Sequence, residues 1–307
     1  MSLKILILGS EGFIGSNLTH FYCQKSYEVY GADVLEHPGF IKYKYIKVSR
    51  HSAALDDLFR QFTFDICINA AGSGNVTYSV VYPLIDFEAN VLDVMIILDS
   101  IRKYQPKCKY LHISSAAVYG NPTKLPINET DNLKPVSPYG FHKMMSENIC
   151  REYHQLYDLP IVILRPFSVY GPGLKKQLFW DICKKLNDTQ NRSISLYGTG
   201  RESRDFIYID DLVLLIDTIV NNALFSNDIY NAASGIETTI AEIAQEIMDI
   251  LPGTEISFSG QIREGDPINW RADVEKISLL GFKSGIPFKA GLQKYLTWFN
   301  SYFHYEK

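Results

Sequence analysis

The stretch KILILGSEGFIG, residues 4–15, decides the fold of this chain. Its first half, Lys4–Leu8, is a short apolar run, as expected for a strand that is buried on both faces of a parallel sheet. The run leads into three glycines that are spaced three residues apart: Gly9, Gly12 and Gly15. Residues 16–21 continue with the periodicity of an amphipathic helix. A strand, a glycine turn and a helix in this order form the context in which a glycine loop binds phosphate.

This glycine loop predicts a dinucleotide site. Glycines allow a tight turn, close approach of a diphosphate and tight packing of the helix on the sheet, while the helix N-terminus attracts the anion. The spacing is G-x-x-G-x-x-G rather than G-x-G-x-x-G, and such a set can also be a simple turn. We expect five residues of the loop to contact the cofactor: Gly9, Gly12, Phe13, Ile14 and Gly15.

Two further features favour NAD as the dinucleotide. Asp33 ends the next predicted strand, 24 residues past Gly9, where a carboxylate meets the adenosine ribose hydroxyls. A 2′-phosphate would be repelled there, so NAD is favoured over NADP, although Asp33 can also be a turn residue. Ala70 and Ala71 follow another predicted strand, and such small residues let a cofactor lie across the sheet edge.

The remaining pattern predicts an α/β chain with a Rossmann-type, doubly wound parallel sheet. Strands are predicted at residues 4–8, 28–33, 43–48, 65–69, 109–113, 159–164 and 228–233, and helices at 53–62, 83–104, 178–185, 211–221 and 239–251. An exposed strand is predicted at 194–198. We expect an NAD-binding domain over residues 1–168, with a returning strand near 228–235, and a smaller, discontinuous α/β substrate lobe over 169–307.

Tyr139 and Lys143 are the candidate catalytic pair. Ser137 as cap and Pro138 in the first turn predict a helix start, and residues four apart share one helix face. The helix N-terminus and the ammonium favour a phenolate, so we expect the pKa of Tyr139 to fall below its usual value of about 10. Ser115, at the end of a predicted strand, offers a hydroxyl to the same substrate oxygen. The pattern indicates proton transfer on an alcohol coupled to a hydride acceptor; a solvated helix face is the alternative.

The motifs together resemble the extended short-chain dehydrogenase/reductases, in particular the nucleotide-sugar epimerase/dehydratase group. The resemblance covers almost the whole chain. It rests on the glycine loop, Asp33, Ala70-Ala71-Gly72, Tyr78-Ser79 with Pro83, Asn90, Ser114-Ser115-Ala116-Ala117-Val118-Tyr119-Gly120, Tyr139-Gly140-Phe141-His142-Lys143, and residues 164–173 and 198–208.

The resemblance implies roles for individual residues. Ser115, Tyr139 and Lys143 correspond to the catalytic triad, Asn90 supports it, and Lys143 also holds the nicotinamide ribose. It further implies NAD as cofactor, a nucleoside-diphosphate sugar as substrate and a homodimer. The residues implied in substrate binding are Ser115, Ser168, Arg204, Arg263 and Asp266, the two arginines for the diphosphate and Asp266 for the nucleoside ribose. An internal ion pair with Asp205 is the alternative for Arg204.

The reaction subtype depends on the residues after Ser115. Related 4,6-dehydratases and decarboxylases carry acidic residues there, and the epimerase-reductases that make GDP-fucose place Cys at the position of Ala117. Ala116 and Ala117 cannot transfer a proton, which favours an NAD-dependent 4-epimerase. A 4-keto-sugar reductase is the alternative, followed by a 4,6-dehydratase. The family's epimerases commonly place Asn at the position of Ser168. The remaining alternative is a non-catalytic dinucleotide-sensing protein, although such proteins usually lose the Tyr or the Lys.

Composition excludes several other classes. The chain has 307 residues, 46% of them apolar, and a net charge of −4, which gives no reason to expect nucleic acid or an anionic membrane. No apolar run approaches the length that spans a bilayer, and no secretory signal is visible. Five widely spaced cysteines without a C-x-x-C pair indicate buried thiols in a reducing, cytoplasmic compartment. The seven histidines form no ligand pair at helical spacing, so no metal is expected, and His142 is expected to be a packing or surface residue.

Overall fold

The structure, a computed structural model, describes residues 2–39, 42–50, 53–189, 192–261 and 268–305. The strands are β1 (Lys4–Leu8), β2 (Glu28–Asp33), β3 (Lys44–Lys47), β4 (Ile66–Asn69), β5 (Lys109–Ile113), β6 (Ile161–Pro166), β7 (Ser168–Tyr170), β8 (Ser193–Leu196), β9 (Ser203–Tyr208), β10 (Ser226–Ala232), β11 (Glu237–Thr239) and β12 (Glu255–Phe258). The helices are α1 (Phe13–Cys23), α2 (Ala53–Gln61), α3 (Val76–Val81), α4 (Pro83–Phe87), α5 (Asp93–Tyr104), α6 (Pro138–Tyr157), α7 (Gln177–Asp188), α8 (Ile209–Asn222), α9 (Ile240–Ile250), α10 (Glu275–Leu279) and α11 (Phe288–Tyr305).

The central sheet has seven strands in the described part of the chain, in the order β10-β6-β5-β4-β1-β2-β3, and every neighbouring pair is parallel. The predicted doubly wound parallel sheet is thereby confirmed. The apolar run that opens β1 is buried on both faces, as helices cover both sides of such a sheet. The strand order reverses between β1 and β4, and a crevice at such a switch point is where open α/β sheets bind ligands.

The other five described strands form two small sheets. β7 and β11 flank β9 in one, and β8 pairs with β12 in the other. The predicted exposed strand at 194–198 corresponds to β8, but Ile194 and Leu196 are buried. The difference has a physical cause: β12 covers one edge of β8 in parallel register, and both residues belong to the main apolar core.

Two helices carry most of the predicted catalytic residues. α6 begins as the sequence predicts, because Pro138 lies in its first turn and the Ser137 hydroxyl accepts a hydrogen bond from the Gly140 amide at 3.2 Å. The helix predicted over 83–104 is present and runs without a break through α4, a π-helical turn at Glu88–Leu92 and α5. Such turns insert one residue into the helix and are frequent at functional sites.

Burial of the thiols agrees with their predicted character. Cys67, Cys108, Cys150 and Cys183 are buried and Cys23 is partly buried. None of the helices in the described ranges combines the length and the apolar run that crossing a bilayer requires.

Candidate active site

The glycine loop lies at the carboxyl end of β1, beside the end of β4. Gly9 has a φ of +73°, and a Cβ there would lie 2.7 Å from the Ala71 Cα. A Cβ on Gly15, in the first turn of α1, would lie 1.9 Å from the Gly9 carbonyl oxygen. Only glycine therefore permits this turn and this approach of α1 to the sheet. Gly12 is the N-cap of α1, and no side chain in the described ranges caps the helix. Phe13 and Ile14 are the first residues of this helix. Amides in the first turn of a helix have no acceptor within the helix, so they can donate hydrogen bonds to a bound anion.

Asp33 lies at the end of β2, next to the glycine loop. Its Oδ2 accepts a hydrogen bond from the Glu11 amide at 2.9 Å, and its Oδ1 accepts one from the Val34 amide at 2.7 Å. The carboxylate is partly exposed, so it holds the loop and retains lone pairs toward the crevice. This is the position that the sequence predicts for a ribose contact.

The end of β4 completes a cradle for an extended dinucleotide. The Ala70 amide donates to the Leu8 carbonyl at 3.0 Å, and the Ala71 amide donates to the Asn69 side chain at 3.1 Å. These bonds keep the small side chains at the crevice, directly against Gly9. A glycine turn that a Cβ would fill, a carboxylate at the end of β2 and small residues along the sheet edge therefore fit NAD.

Ser115 and Tyr139 are brought together by the packing of α6 on the turn after β5. The Ser115 hydroxyl accepts a hydrogen bond from the Ala117 amide at 3.1 Å, at the start of a 3-10 turn, Ala116–Val118. A Cβ on Gly140 would lie 2.7 Å from the Ala117 carbonyl oxygen, so glycine lets α6 approach this turn closely. Ser115 thereby lies close enough to Tyr139 to lower the pKa of its phenol.

The protonation of Tyr139 differs from the sequence-based expectation. Burial raises the pKa of Tyr139 to about 12, the Ser115 hydrogen bond opposes this, and the Asp86 carboxylate raises it further. The expected lowering of the Tyr139 pKa is therefore wrong for the protein alone, because loss of water around the phenol dominates its pKa.

Lys143 is almost fully buried, and its Nζ donates to the Ile113 carbonyl at 3.0 Å. Burial lowers its pKa to about 8, while the Asp86 carboxylate opposes that change. Lys143 lies one turn beyond Tyr139 on α6, as the four-residue spacing predicts.

Asn90 occupies the π-helical turn and is buried behind the crevice. Its Nδ2 donates to the Asp86 carbonyl at 3.1 Å, and its Oδ1 has no hydrogen-bond partner among the described residues. This oxygen is close to Gly72, where a Cβ would lie 2.7 Å away. The turn therefore aims an amide oxygen at the loop that follows β4.

The predicted substrate residues are only partly described. Ser168 opens β7 and is partly buried. One Arg204 nitrogen donates to the Ser203 carbonyl at 2.8 Å and to the Ile268 carbonyl at 3.2 Å, and the guanidinium carbon lies 5.7 Å from the centre of the Trp270 ring. Arg263 and Asp266 lie outside the described residues.

Asp205, the alternative partner of Arg204, has a different set of contacts. Its two carboxylate oxygens accept hydrogen bonds from the Ser234, Gly235 and Ala272 amides and from the Ser234 hydroxyl. This carboxylate therefore ties β9 to the segments after β10 and before α10.

Four residues near the pair have no predicted catalytic role. The Ser79 hydroxyl accepts from the Tyr139 amide at 3.1 Å, and Asp86 forms a 2.7 Å contact with His142. Lys176 reaches the Gly74 carbonyl at 3.4 Å and lies close enough to Lys143 to lower its pKa. His142 is buried, so of the two roles expected from the sequence, packing or surface, the packing role applies. In the sequence, Ser79 belongs to the Tyr78-Ser79 motif and His142 to the Tyr139–Lys143 motif, whereas Asp86 and Lys176 belong to no motif.

Comparison with known proteins agrees with this geometry. The model of the NAD dependent epimerase/dehydratase family matches residues 5–233. A Methanocaldococcus jannaschii protein provisionally named UDP-glucose 4-epimerase is 30% identical over 308 aligned positions, which cover 96% of this chain and 97% of that protein. A dTDP-D-glucose 4,6-dehydratase of Bos taurus is 25% identical, with coverage of 98% and 90%.

Among solved structures, the UDP-glucuronic acid 4-epimerase of Bacillus cereus in complex with UDP-glucuronic acid and NAD is similar over 98% of this chain and 100% of that one. Its TM-score is 0.89 at 25% identity. The cofactor of the family is NAD, as the sequence predicts. This chain belongs to the NAD-dependent epimerase/dehydratase family.

Proposed function

We propose that the protein is an NAD-dependent nucleotide-sugar 4-epimerase. The observation that carries this proposal is the placement of Ser115 beside Tyr139, next to a turn that offers no acid. Ala116 and Ala117 form that turn, and neither side chain transfers a proton. Proton transfer at one hydroxyl is then the chemistry that this site supports, and it is sufficient for epimerisation at C4.

The residues of this chain divide the work at the sugar hydroxyl. NAD bound in the cradle supplies a hydride acceptor at C4 that can give the hydride back. Tyr139 takes the proton of the 4-hydroxyl and later returns it, while Ser115 holds the same oxygen by a hydrogen bond. Because burial raises the pKa of Tyr139 to about 12, its ionisation needs nearby positive charge, and Lys143 supplies it from the next turn. Asn90 supports the loop beside this pair.

Two other reactions use the same cleft less well. A 4,6-dehydratase also removes a proton next to the keto group, and Ala116 and Ala117 leave no base at the position where relatives carry one. A 4-keto-sugar reductase needs only Ser115, Tyr139 and Lys143, and Ser168, where the family's epimerases commonly have Asn, favours keeping it as the second candidate. Retention of Tyr139 and Lys143 argues against a non-catalytic sensing role.

The substrate is a nucleoside-diphosphate sugar, with UDP-sugars as the first choice. The relatives named above as 4-epimerases act on UDP-sugars by name, and one of them holds UDP-glucuronic acid. In the two-part organisation expected from the sequence, residues 1–168 together with β10 hold the cofactor, and the rest of 169–307 holds the substrate. Arg204 and Arg263 suit the diphosphate because a guanidinium donates two bonds to phosphate oxygens, while Asp266 takes the nucleoside ribose and Ser168 lies near the diphosphate.

The protein forms a homodimer through the outer faces of α3 to α6. These helices pack against one another and expose large apolar side chains: Val80, Val81, Leu84, Ile85, Met95, Phe141 and Met145. Monomeric proteins rarely leave large apolar patches in water. A second copy of the same chain covers these side chains, because two copies of one apolar helical face can bury each other about a twofold axis.

The deciding experiment incubates the protein with UDP-, TDP-, GDP- and CDP-sugars and a small amount of NAD. Chromatography measures 4-epimers, and absorbance measures NADH. We expect a 4-epimer of a UDP-sugar with no net change in NADH. In a second incubation that supplies NADH and a nucleoside-diphosphate 4-keto-sugar, stoichiometric consumption of NADH identifies the reductase instead. Loss of water, or no reaction with any nucleotide sugar, overturns the proposal.

A further inference from the structure

A buried carboxylate lies behind the catalytic turn of α6. Asp86 in α4 has no exposed surface, and its Oδ2 accepts a hydrogen bond from the His142 Nδ1 at 2.7 Å. The ring of His142 packs edge-on against Phe87, 5.6 Å between centroids. His142 is therefore held in one orientation, with its donor aimed at the carboxylate.

The position of His142 joins this carboxylate to the active site. His142 lies three residues after Tyr139 and directly before Lys143, so one turn of α6 carries all three. The Asp86 carbonyl also accepts a hydrogen bond from the Asn90 side-chain Nδ2 at 3.1 Å, while the Asp86 Oδ1 has no hydrogen-bond partner in the described part of the chain. Asp86 thus contacts the supporting Asn90 and the catalytic turn at once.

The two carboxylates near Lys143 have different partners: Asp86 contacts the imidazole of His142, and Glu147 contacts a guanidinium. Glu147, on the next turn of α6, is paired with Arg165 at 2.7 Å. Burial raises the pKa of the Cys150 thiol on α6, and burial lowers that of His112 on β5, so both stay neutral.

The two remaining charged groups act on Lys143 in opposite directions. Lys176, before α7, lowers the pKa of Lys143, and Asp86 raises it. Asp86 also raises the pKa of Tyr139. One buried negative charge therefore acts on both members of the pair.

We propose that Asp86, aligned by His142, is a positioning residue that anchors the catalytic turn and provides the negative charge behind Tyr139 and Lys143. This charge keeps the buried Lys143 ammonium protonated, and it also holds the proton on Tyr139 until substrate and cofactor are bound. The role of Asp86 in catalysis rests on the proposed function, whereas the effect of its charge on Tyr139 does not.

The first test needs no turnover. Tyrosines labelled with ¹³C at Cζ are titrated by NMR in the NAD-loaded protein, and the Tyr139 signal is assigned with Tyr139→Phe. Asp86→Asn should lower the Tyr139 midpoint by about one pH unit, because a nearby like charge is removed. His142→Gln keeps a donor to the carboxylate and should leave the midpoint close to that of the wild type.

Asp211→Asn is the matched control. Asp211 is equally buried, but it binds Ser284, Gly285 and Ile286 through its oxygens. This variant should lower the melting temperature and leave the Tyr139 midpoint unchanged. An unchanged midpoint in Asp86→Asn, with only a loss of melting temperature, overturns the proposal.

The second test is the pH profile of turnover on an accepted nucleotide sugar. Without the Asp86 charge, Tyr139 and Lys143 both release their protons at lower pH. The whole bell-shaped profile of Asp86→Asn should therefore move toward acid, while that of Asp211→Asn stays in place. A lower rate with an unmoved profile contradicts the positioning role. Failure of every substrate counts against the 4-epimerase and leaves the NMR test in force.

Discussion

At the residue scale, Asp33 is expected to select NAD over NADP. Its carboxylate lies beside the glycine loop and would repel a 2′-phosphate. The wild type should bind NAD more tightly, and Asp33→Asn should narrow the difference by a few kcal/mol at most, as for a lost charged hydrogen bond. Calorimetric titration with both cofactors measures this, with the melting temperature as control for folding. Equal affinities in the wild type would defeat the ribose role.

Arg204 is a second prediction at this scale. Removal of a charged donor to the diphosphate should weaken nucleotide-sugar binding about tenfold or more and leave NAD binding nearly intact. Arg204→Ala and Arg263→Ala are compared by titration with the same UDP-sugar. Because Arg204 also joins the Ser203 and Ile268 carbonyls, melting temperature is measured in parallel. If Arg204→Ala mainly lowers stability, the arginine serves the fold of the lobe.

Substitutions of Tyr139, Lys143 and Ser115 should differ in their effects on turnover and on NAD affinity. Tyr139→Phe removes only the oxygen that carries the proton, so turnover should fall roughly 10²–10⁴-fold while NAD still binds. Lys143→Met should lower both turnover and NAD affinity, and Ser115→Ala should cost less than either. Steady-state rates and cofactor titrations separate these effects. Loss of NAD binding in Tyr139→Phe would contradict a role limited to proton transfer.

The Tyr139 pKa illustrates which properties of a single residue cannot be predicted from the sequence. The proximity of Lys143 to Tyr139 can be predicted, because the two residues are four positions apart on the same helix. Burial of the phenol and the Asp86 charge are not visible, because they come from segments that meet α6 only in the folded chain. The types and spacing of the site residues could be predicted, whereas the balance of burial and charge could not.

At the element scale, the close approach of α6 to the turn after Ser115 aligns the two hydroxyls. Gly140→Ala would force its Cβ to 2.7 Å from the Ala117 carbonyl oxygen. We expect a loss of about 1–3 kcal/mol of stability, as for other overpacked sites, and a fall in turnover at temperatures where the variant is folded. Gln155→Ala, at an exposed position of the same helix, is the control. Normal turnover in folded Gly140→Ala would show that this approach does not align the pair.

Helix boundaries were predictable where local chemistry defines them. Ser137 and Pro138 fix the start of α6, and Thr239 with Glu242 forms a capping box at the start of α9. The π-helical turn that carries Asn90 was not predictable, since one inserted residue barely changes the apolar periodicity of a long helix.

At the scale of the whole molecule, the sheet order follows from alternating strands and helices, because parallel strands need crossover connections of one hand. The partner of β8 could not be inferred in the same way. β12 lies some 60 residues away, and nothing in either short segment specifies the other. Pairings across large sequence separations depend on the packing of the whole lobe.

The homodimer is the prediction at this scale. Met145→Glu places a charge in the exposed apolar face of α6 and should convert a dimer into a monomer, because an unpaired buried charge costs several kcal/mol. Leu279→Glu on α10, outside that face, is the matched control and should remain dimeric. Light scattering after size exclusion gives the mass of each variant. A monomeric wild type would show that this face has another occupant.

The fate of the hydrogen at C4 tests the central claim most directly. A UDP-sugar that the protein accepts is labelled with deuterium at C4, and the product is analysed by NMR and mass spectrometry. We predict a 4-epimer that keeps its deuterium at C4, loses no water and forms at least about 10²-fold more slowly with Tyr139→Phe. Deuterium at C6 of a dehydrated sugar, or a near-normal rate with Tyr139→Phe, would contradict the account.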